Sequence, residues 1–200
     1  MIVVIDYGIG NLGSVVNALN KLGIPNQISS DPAVIKIAQA LILPGVGAAC
    51  QGMNNLIDRN LDRLIIQEIN KGKPFLGICL GMQLLFQSSE EGNTPCLGVF
   101  GGTVRKFSQK RKVPQIGWNN VNQSQPPNRL FRSIPNNSYF YFVNSYYCAP
   151  QDWSIVTGTS QYGKKFASVI AQNNVFGVQF HPEKSGPVGF QLLKNFTQLC

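Results

Sequence analysis

The sequence predicts a single α/β domain over residues 1–200, built on a mixed, mostly parallel sheet flanked by helices. Three observations carry that expectation. Strands and amphipathic helices alternate through the first half, the second half is richer in strands, and glycine-bearing turns follow several of the strands. A chain of 200 residues is long enough for one core, burying roughly 70% of its unfolded surface.

Taken in order, residues 2–6 form an apolar opening strand. Asn11 then reads as the N-cap of a helix through Val15, Val16, Leu19 and Leu22, which Gly23 ends. Residues 26–29 are a short strand, and Asp31-Pro32 starts a helix as N-cap and N1 proline. Residues 40–43 are a buried strand running into Pro44-Gly45. Leu61, Leu64 and Ile65 mark helical spacing over 56–69, closed by Lys71-Gly72. Residues 75–78 read as a strand and 80–86 as a helix. The second half carries strand signals at 102–107, 139–146, 154–159, 166–171 and 175–180, with a closing helix over 188–199. The stretch 120–135, rich in Asn, Pro and Ser, reads as a loop.

Composition excludes several classes. Hydrophobic residues make up 44% and charged ones 13%, which fits a globular chain and not a disordered one. No apolar run has the length of a membrane span, and the first residues lack a signal peptide's basic flank. The expectation is a soluble protein of the cytoplasm or an organelle stroma. Cys50, Cys79, Cys96, Cys148 and Cys200 are scattered, with no CxxC pair, which argues against a disulfide framework and a structural zinc site. The formal charge of +8 raises nucleic acid as a partner. Its densest part, Arg105, Lys106, Lys110, Arg111 and Lys112, has no aromatic-rich recognition motif beside it and reads as solvated surface, with a protein or phosphorylated-metabolite partner as the alternative.

Two motifs point to covalent catalysis. Gly77-Ile78-Cys79-Leu80-Gly81 lies between a strand and a helix and has the form of a nucleophile elbow carrying sulfur. The sharp turn needs glycine on both sides of the nucleophile, and the Leu80 amide points to where an oxyanion would form. His181-Pro182-Glu183 follows another buried strand, and His181 is the only histidine in the chain. A thiol nucleophile needs a base near neutrality and a carboxylate to orient it, and these residues supply both. Either motif alone also fits an ordinary buried side chain. Together, at the same edge of a parallel sheet, they point to chemistry.

Two glycine-rich turns are less specific. Pro44-Gly45-Val46-Gly47-Ala48 can present backbone N–H groups to a developing negative charge, or be a turn without a ligand. Gly8-Ile9-Gly10-Asn11-Leu12-Gly13 matches the dinucleotide fingerprint, with Asp31 at about the distance of a ribose-binding acid. Against that reading, Asp31 precedes Pro32 and suits an N-cap better, and a dinucleotide explains neither Cys79 nor His181.

These residues resemble the class I, triad-type glutamine amidotransferases, and the resemblance spans essentially the whole chain. The segments 6–12, 44–47, 77–85, 117–119 and 177–186 narrow it to the branch that supplies ammonia to a (βα)₈-barrel cyclase making imidazole glycerol phosphate and AICAR in histidine biosynthesis. The resemblance implies Cys79 as nucleophile, His181 as general base and acid, and Glu183 as its orienter. It implies an oxyanion hole from the Leu80 amide and the loop Gly45, Val46 and Gly47. Gly47, Gln83 and the Ser145-Tyr146 backbone would hold the amino-acid end of glutamine. Tyr7, Asn11, Trp118, Tyr141 and Lys184 would face the barrel subunit in a heterodimer, and no metal or organic cofactor is implied. The sequence departs from the family pattern at Gln115 and Asn144, where histidines are usual, and at Ala49, usually an aromatic. Gln115 and Asn144 fall in partner-facing segments, so the departures predict altered coupling and not altered hydrolysis.

Overall fold

The computed structural model describes residues 1–108 and 112–199, so Lys110, Arg111 and Cys200 lie outside the described residues. The first half contains β1 (Ile2–Ile5), α1 (Leu12–Lys21), β2 (Asn26–Ser29), α2 (Pro32–Ile37) and β3 (Ala40–Gly45). It continues through α3 (Ala49–Asp58), α4 (Leu61–Asn70), β4 (Phe75–Cys79) and the short α5 (Leu80–Gln83). Next come β5 (Phe86–Ser89), β6 (Thr94–Pro95), β7 (Phe100–Lys106), β8 (Gln115–Asn120) and β9 (Asn122–Gln123). The chain ends with β10 (Tyr139–Asn144), β11 (Tyr146–Pro150), β12 (Val156–Tyr162), β13 (Lys164–Gln172), β14 (Val175–Val178) and α6 (Gly186–Thr197).

The main sheet runs β2-β1-β3-β4-β14-β13-β11-β7-β5-β6, with β12 and β9 attached beyond β13. From β2 to β14 every pairing is parallel, and from β14 onward only β5 with β7 is. Alternate residues of these strands feed two hydrophobic layers, as the two-residue period of a strand requires. Val3, Ile5, Leu41 and Leu43 pack with Ile35, Leu56, Leu61 and Ile65 from α2, α3 and α4. Val4, Ile42, Leu76 and Ile78 pack with Val15 and Leu19 of α1 and Leu192 and Phe196 of α6. A separate antiparallel pair, β8 with β10, stands beside the main sheet.

Four expectations need correction. The helix over 56–69 is two helices, because Asn60 adopts the left-handed conformation (φ 54°) between α3 and α4. The helix over 80–86 stops at Gln83, because Phe86 already belongs to β5 and pairs with Phe100 of β7, while the Leu85 carbonyl accepts the Phe100 N–H. The strand over 139–146 is divided at Ser145, where the chain leaves β8 for the main sheet. Asn11 precedes α1 but makes no side-chain cap, whereas Asp31 does cap α2, accepting from the Ala33 N–H at 2.8 Å. The stretch 120–135 is loop except for β9 and one turn of 3₁₀ helix. The described basic residues Arg105, Lys106 and Lys112 are exposed. Among the described residues no helix is long and apolar enough to cross a membrane.

The sheet tolerates only glycine where α5 crosses it. A Cβ at Gly81 would fall 1.8 Å from the Leu43 carbonyl oxygen, and one at Gly77 would fall 2.6 Å from that of Gly81. Gly13, in the first turn of α1, has nothing within 4 Å of an added Cβ. Urea unfolding should therefore separate the two positions. Gly81→Ala is expected to lose about 3 kcal/mol or more, and Gly13→Ala to gain up to about 1 kcal/mol.

Candidate active site

The register of the parallel strands builds the site. Gly45 lies opposite Cys79 across β3 and β4, and Val178 lies opposite Ile78 across β14 and β4. Cys79 ends its strand with φ 54° and ψ −109°, a conformation that costs a non-glycine residue about 1–3 kcal/mol. That turn lifts the side chain off the sheet edge, with Sγ 3.8 Å from the Val143 carbonyl oxygen.

His181 follows β14 and is held on both sides. Its N–H donates to the Tyr141 carbonyl (2.9 Å), and its own carbonyl accepts from Ser185 Oγ (2.6 Å). Ser185 Oγ in turn accepts from the Tyr141 N–H at 3.0 Å, tying β10 to the turn. Gly189 lets α6 close over that turn, since a Cβ there would stand 2.0 Å from the Pro182 carbonyl oxygen. Nδ1 of His181 is 2.9 Å from Glu183 Oε1, and the two side chains are 4% and 1% exposed. Nε2 is thereby the ring nitrogen left for Cys79, which lines the same cavity. Burial works against a charged imidazole here. The bonds and negative charges of Cys79 and Glu183 outweigh it and push the His181 pKa up to about 10.

A cavity of about 280 Å³ opens onto these groups. Val46, Gly47, Cys79, Leu80, Gln83, Ser145, Tyr146, His181 and Lys184 line it, so nine sequence-predicted residues meet in one place. Glu183 stands behind His181, and Gly45 lies at the strand end beneath the loop. A Cβ at Gly45 would meet Tyr7 Oη at 2.3 Å, so only glycine fits there. Leu80 opens α5, so its N–H belongs to a first turn without helical acceptors. A larger hollow of about 900 Å³ lies between residues 127–135 and the end of α6. Its described lining has neither cysteine nor histidine, and its buried Asn195 amide already donates to the Leu130 and Arg132 carbonyls.

The predicted outer residues divide. Trp118 is 57% exposed and meets Tyr141 edge to face at 6.0 Å between ring centroids. Asn11 is half-buried, and Lys184 is exposed at the cavity wall. Tyr7 is a correction: it is fully buried against Gly45, so its side chain does not reach the surface. Burial, and then the neighbouring Cys79 charge, push its phenol far above the ordinary value and keep it neutral. Gln115 and Asn144 also differ from expectation, since their side chains are buried at 3% and 5% exposure. They face each other directly across β8 and β10, on the face opposite Trp118, and Asn144 reaches the cavity.

Two residues escaped the sequence reading. Glu91 lines the cavity while its Oε2 accepts the Ala49 N–H at 2.7 Å, anchoring the start of α3. Its only sequence signal is the pair Glu90-Glu91 in a chain with just 9 acidic residues. Gln179, fully buried, bonds Gln83 through Oε1 (3.0 Å) and reaches Cys79 Sγ through Nε2 (3.8 Å). The Gly8–Gly13 turn packs toward Arg59 and Pro44, and Asp31 is engaged as a cap, which removes the acid the dinucleotide reading needs.

With this geometry in hand, comparison with known proteins is decisive. The family model for glutamine amidotransferase class-I matches residues 3–199. The chain belongs to the class-I glutamine amidotransferase family. Within this family it is 49% identical, over 201 residues, to the imidazole glycerol phosphate synthase subunit HisH of Herpetosiphon aurantiacus, covering 100% of this chain and 95% of that protein. The HisH subunit of Moorella thermoacetica is 49% identical over 199 residues, 99% of this chain and 94% of that one. A solved glutamine amidotransferase shares the fold, with a TM-score of 0.78 at 18% identity over 98% of this chain and 97% of the other. Among the amidotransferases, the chain groups with the HisH subunits.

The single histidine makes the electrostatics testable by proton NMR. Its ring resonances should titrate well above the ordinary value of about 6.5, and Cys79→Ala should lower the midpoint by removing one of the two groups that raise it. Because the folded-state value is the higher one, the charged imidazole stabilises the fold fully below about pH 6.5. That contribution fades as pH rises through about 10. A native midpoint at or below 6.5 would contradict the arrangement.

Proposed function

We infer that this glutamine amidotransferase hydrolyses the side-chain amide of glutamine at Cys79 and delivers the ammonia to the synthase subunit bound on its β8–β10 face. One observation carries the reading. The thiol, imidazole and carboxylate stand in sequence at the ends of adjacent parallel strands, inside a cavity that also presents Gln83.

As a thiolate opposite the His181 imidazolium, Cys79 Sγ attacks the carboxamide carbon. The Leu80 amide and the Gly45, Val46 and Gly47 loop stabilise the tetrahedral oxyanion. His181 gives its proton to the departing nitrogen, ammonia leaves, and a glutamyl thioester remains on Cys79. Water then adds to the thioester, His181 accepts its proton, and glutamate departs with the thiolate restored. Cys79, His181 and water make and break every bond, so the step calls for no cofactor. Gln83 and the Ser145-Tyr146 backbone hold the amino-acid end, and Glu91 is the carboxylate suited to the substrate ammonium. Two of the other cysteines are poorer candidates. Burial pushes the Cys96 thiol up to about 11, and burial with the Cys79 and Cys96 charges pushes Cys148 well above its usual value.

As a member of the HisH group, the chain serves an imidazole glycerol phosphate synthase in histidine biosynthesis, with a setting in the cytoplasm or an organelle stroma. Its partner is a (βα)₈-barrel cyclase joined as a heterodimer. Support comes from the outward face of β8 and β10, where Ile116, Trp118 and Tyr139 are 62%, 57% and 60% exposed. A contiguous apolar face of this kind suits a protein partner and not nucleic acid. Lys184, at the cavity wall, carries a charge contact, and half-buried Asn11 is assigned to the same partner.

Two kinetic tests follow. Glutamate release should be slow for the chain alone and rise when the barrel cyclase and its phosphorylated ligand are added, with one-to-one co-elution. Brisk release without any complex would remove the synthase reading. In the complex, His181→Ala should cost about 10²–10⁴ in kcat, and Glu183→Gln distinctly less, since Glu183 orients and does not transfer the proton. Equal losses would contradict that division. Trp118→Ala should weaken the complex by about 2 kcal/mol or more by calorimetry, and unchanged affinity would move the interface elsewhere.

A further inference from the structure

Gln179 sits one residue past β14 with its side chain fully buried. Its N–H donates to the Ser168 carbonyl at 2.9 Å, so β13 fixes its backbone. The orientation of its carboxamide follows from a chain of obligatory donors and acceptors. The Tyr146 carbonyl can only accept, so Gln83 must turn Nε2 toward it, at 3.2 Å. The same NH₂ group donates to Gln179 Oε1 at 3.0 Å. That leaves Gln179 Nε2 facing Cys79 Sγ, at 3.8 Å. Asn144 Nδ2 donates to the same Tyr146 carbonyl at 2.9 Å, so the chain of amides continues to β10.

We propose that Gln179 is a positioning residue, whose buried carboxamide spans from the glutamine-holding Gln83 to the Cys79 sulfur and keeps the two in register. The inference rests on the reading of Cys79 as nucleophile and Gln83 as substrate-holding. Gln179 performs two separable tasks. Its NH₂ supplies a donor to the sulfur in a site sheltered from water, where such a bond counts for more than in solution. Its carbonyl accepts a hydrogen bond from Gln83 Nε2, so the Gln83 amide stays turned with Oε1 available to the cavity. Of the atoms that react, Gln179 meets the Cys79 sulfur alone, and its effect on glutamine passes through Cys79 and Gln83.

The tasks separate by substitution in the full chain. Gln179→Met removes both bonds at similar volume. Iodoacetamide needs no glutamine site, and it should alkylate Cys79 roughly tenfold more slowly in this variant, read by peptide mapping. With the barrel partner present, kcat for glutamine should fall by at least as much, and KM should rise about threefold or more. Gln179→Glu keeps an acceptor for Gln83 and loses the donor to sulfur. KM should then stay within about twofold of the parent while kcat and alkylation fall as in Gln179→Met. A role confined to packing would lower the unfolding midpoint and leave alkylation, kcat and KM of the folded chain at parental values. That result in both variants overturns the proposal. Should either variant fail to fold, the parent chain gives its own reading. Carbamidomethylation of Cys79 should displace the Gln179 side-chain NH₂ resonances, and unmoved resonances would also overturn it. If the parent and its partner hydrolyse no glutamine, the glutaminase reading falls, while the alkylation and resonance arms still judge Gln179.

Discussion

The parallel seam of β3, β4 and β14 is the constraint on which the remaining features of the site depend. Parallel strands end at the same edge of a sheet, so whatever follows each strand is gathered there without long-range design. Here the seam brings three turns together: the glycine loop after β3, the elbow after β4, and the His-Pro-Glu turn after β14. The approach is close enough to dictate residue type. Gly81 lies against the Leu43 carbonyl, Gly45 against Tyr7, and Gly189 against Pro182, and a methyl group at any of these would push the turns apart. The glycines therefore act on catalysis indirectly, by permitting distances that only bare backbone allows.

Burial then sets the chemistry. A histidine with a carboxylate on one side and a sulfur on the other would gain little from either in water. At 4% exposure His181 gains from both, enough to reverse the penalty that burial imposes on its charge. The same low-dielectric surroundings raise the thiols of Cys96 and Cys148, which have no cation beside them. The buried amides of Gln83 and Gln179 extend this logic, since each is paired in a place where an unpaired polar group is costly.

Cys79, His181, Glu183 and most residues lining the cavity are legible in the sequence because they lie in short segments whose types are fixed by local turns. Cys79 between two glycines and His181 two residues before Glu183 are legible without tertiary structure. The strands of the seam were legible for a related reason, as they are buried on both faces and read as continuous apolar runs. What was missed depends on register or on packing between distant segments. Gln179 belongs to the site only because β14 pairs with β4, and Glu91 only because its turn meets the start of α3. The partner-facing expectation for Tyr7 fails because nothing local reveals that Gly45 leaves space for its ring. The facing of Gln115 and Asn144 requires the β8–β10 pairing, and β8 itself was overlooked because Gln and Asn residues mask its alternation.

The central claim is that the cavity performs covalent chemistry at one sulfur, so the direct measurement is of the intermediate. The complex should be quenched in acid during glutamine turnover and its peptides mapped by mass spectrometry. The account predicts a glutamyl thioester on the peptide carrying Cys79 and on none of those carrying Cys50, Cys96, Cys148 or Cys200. Steady hydrolysis with no glutamyl group on Cys79, or with the group on another cysteine, would contradict it.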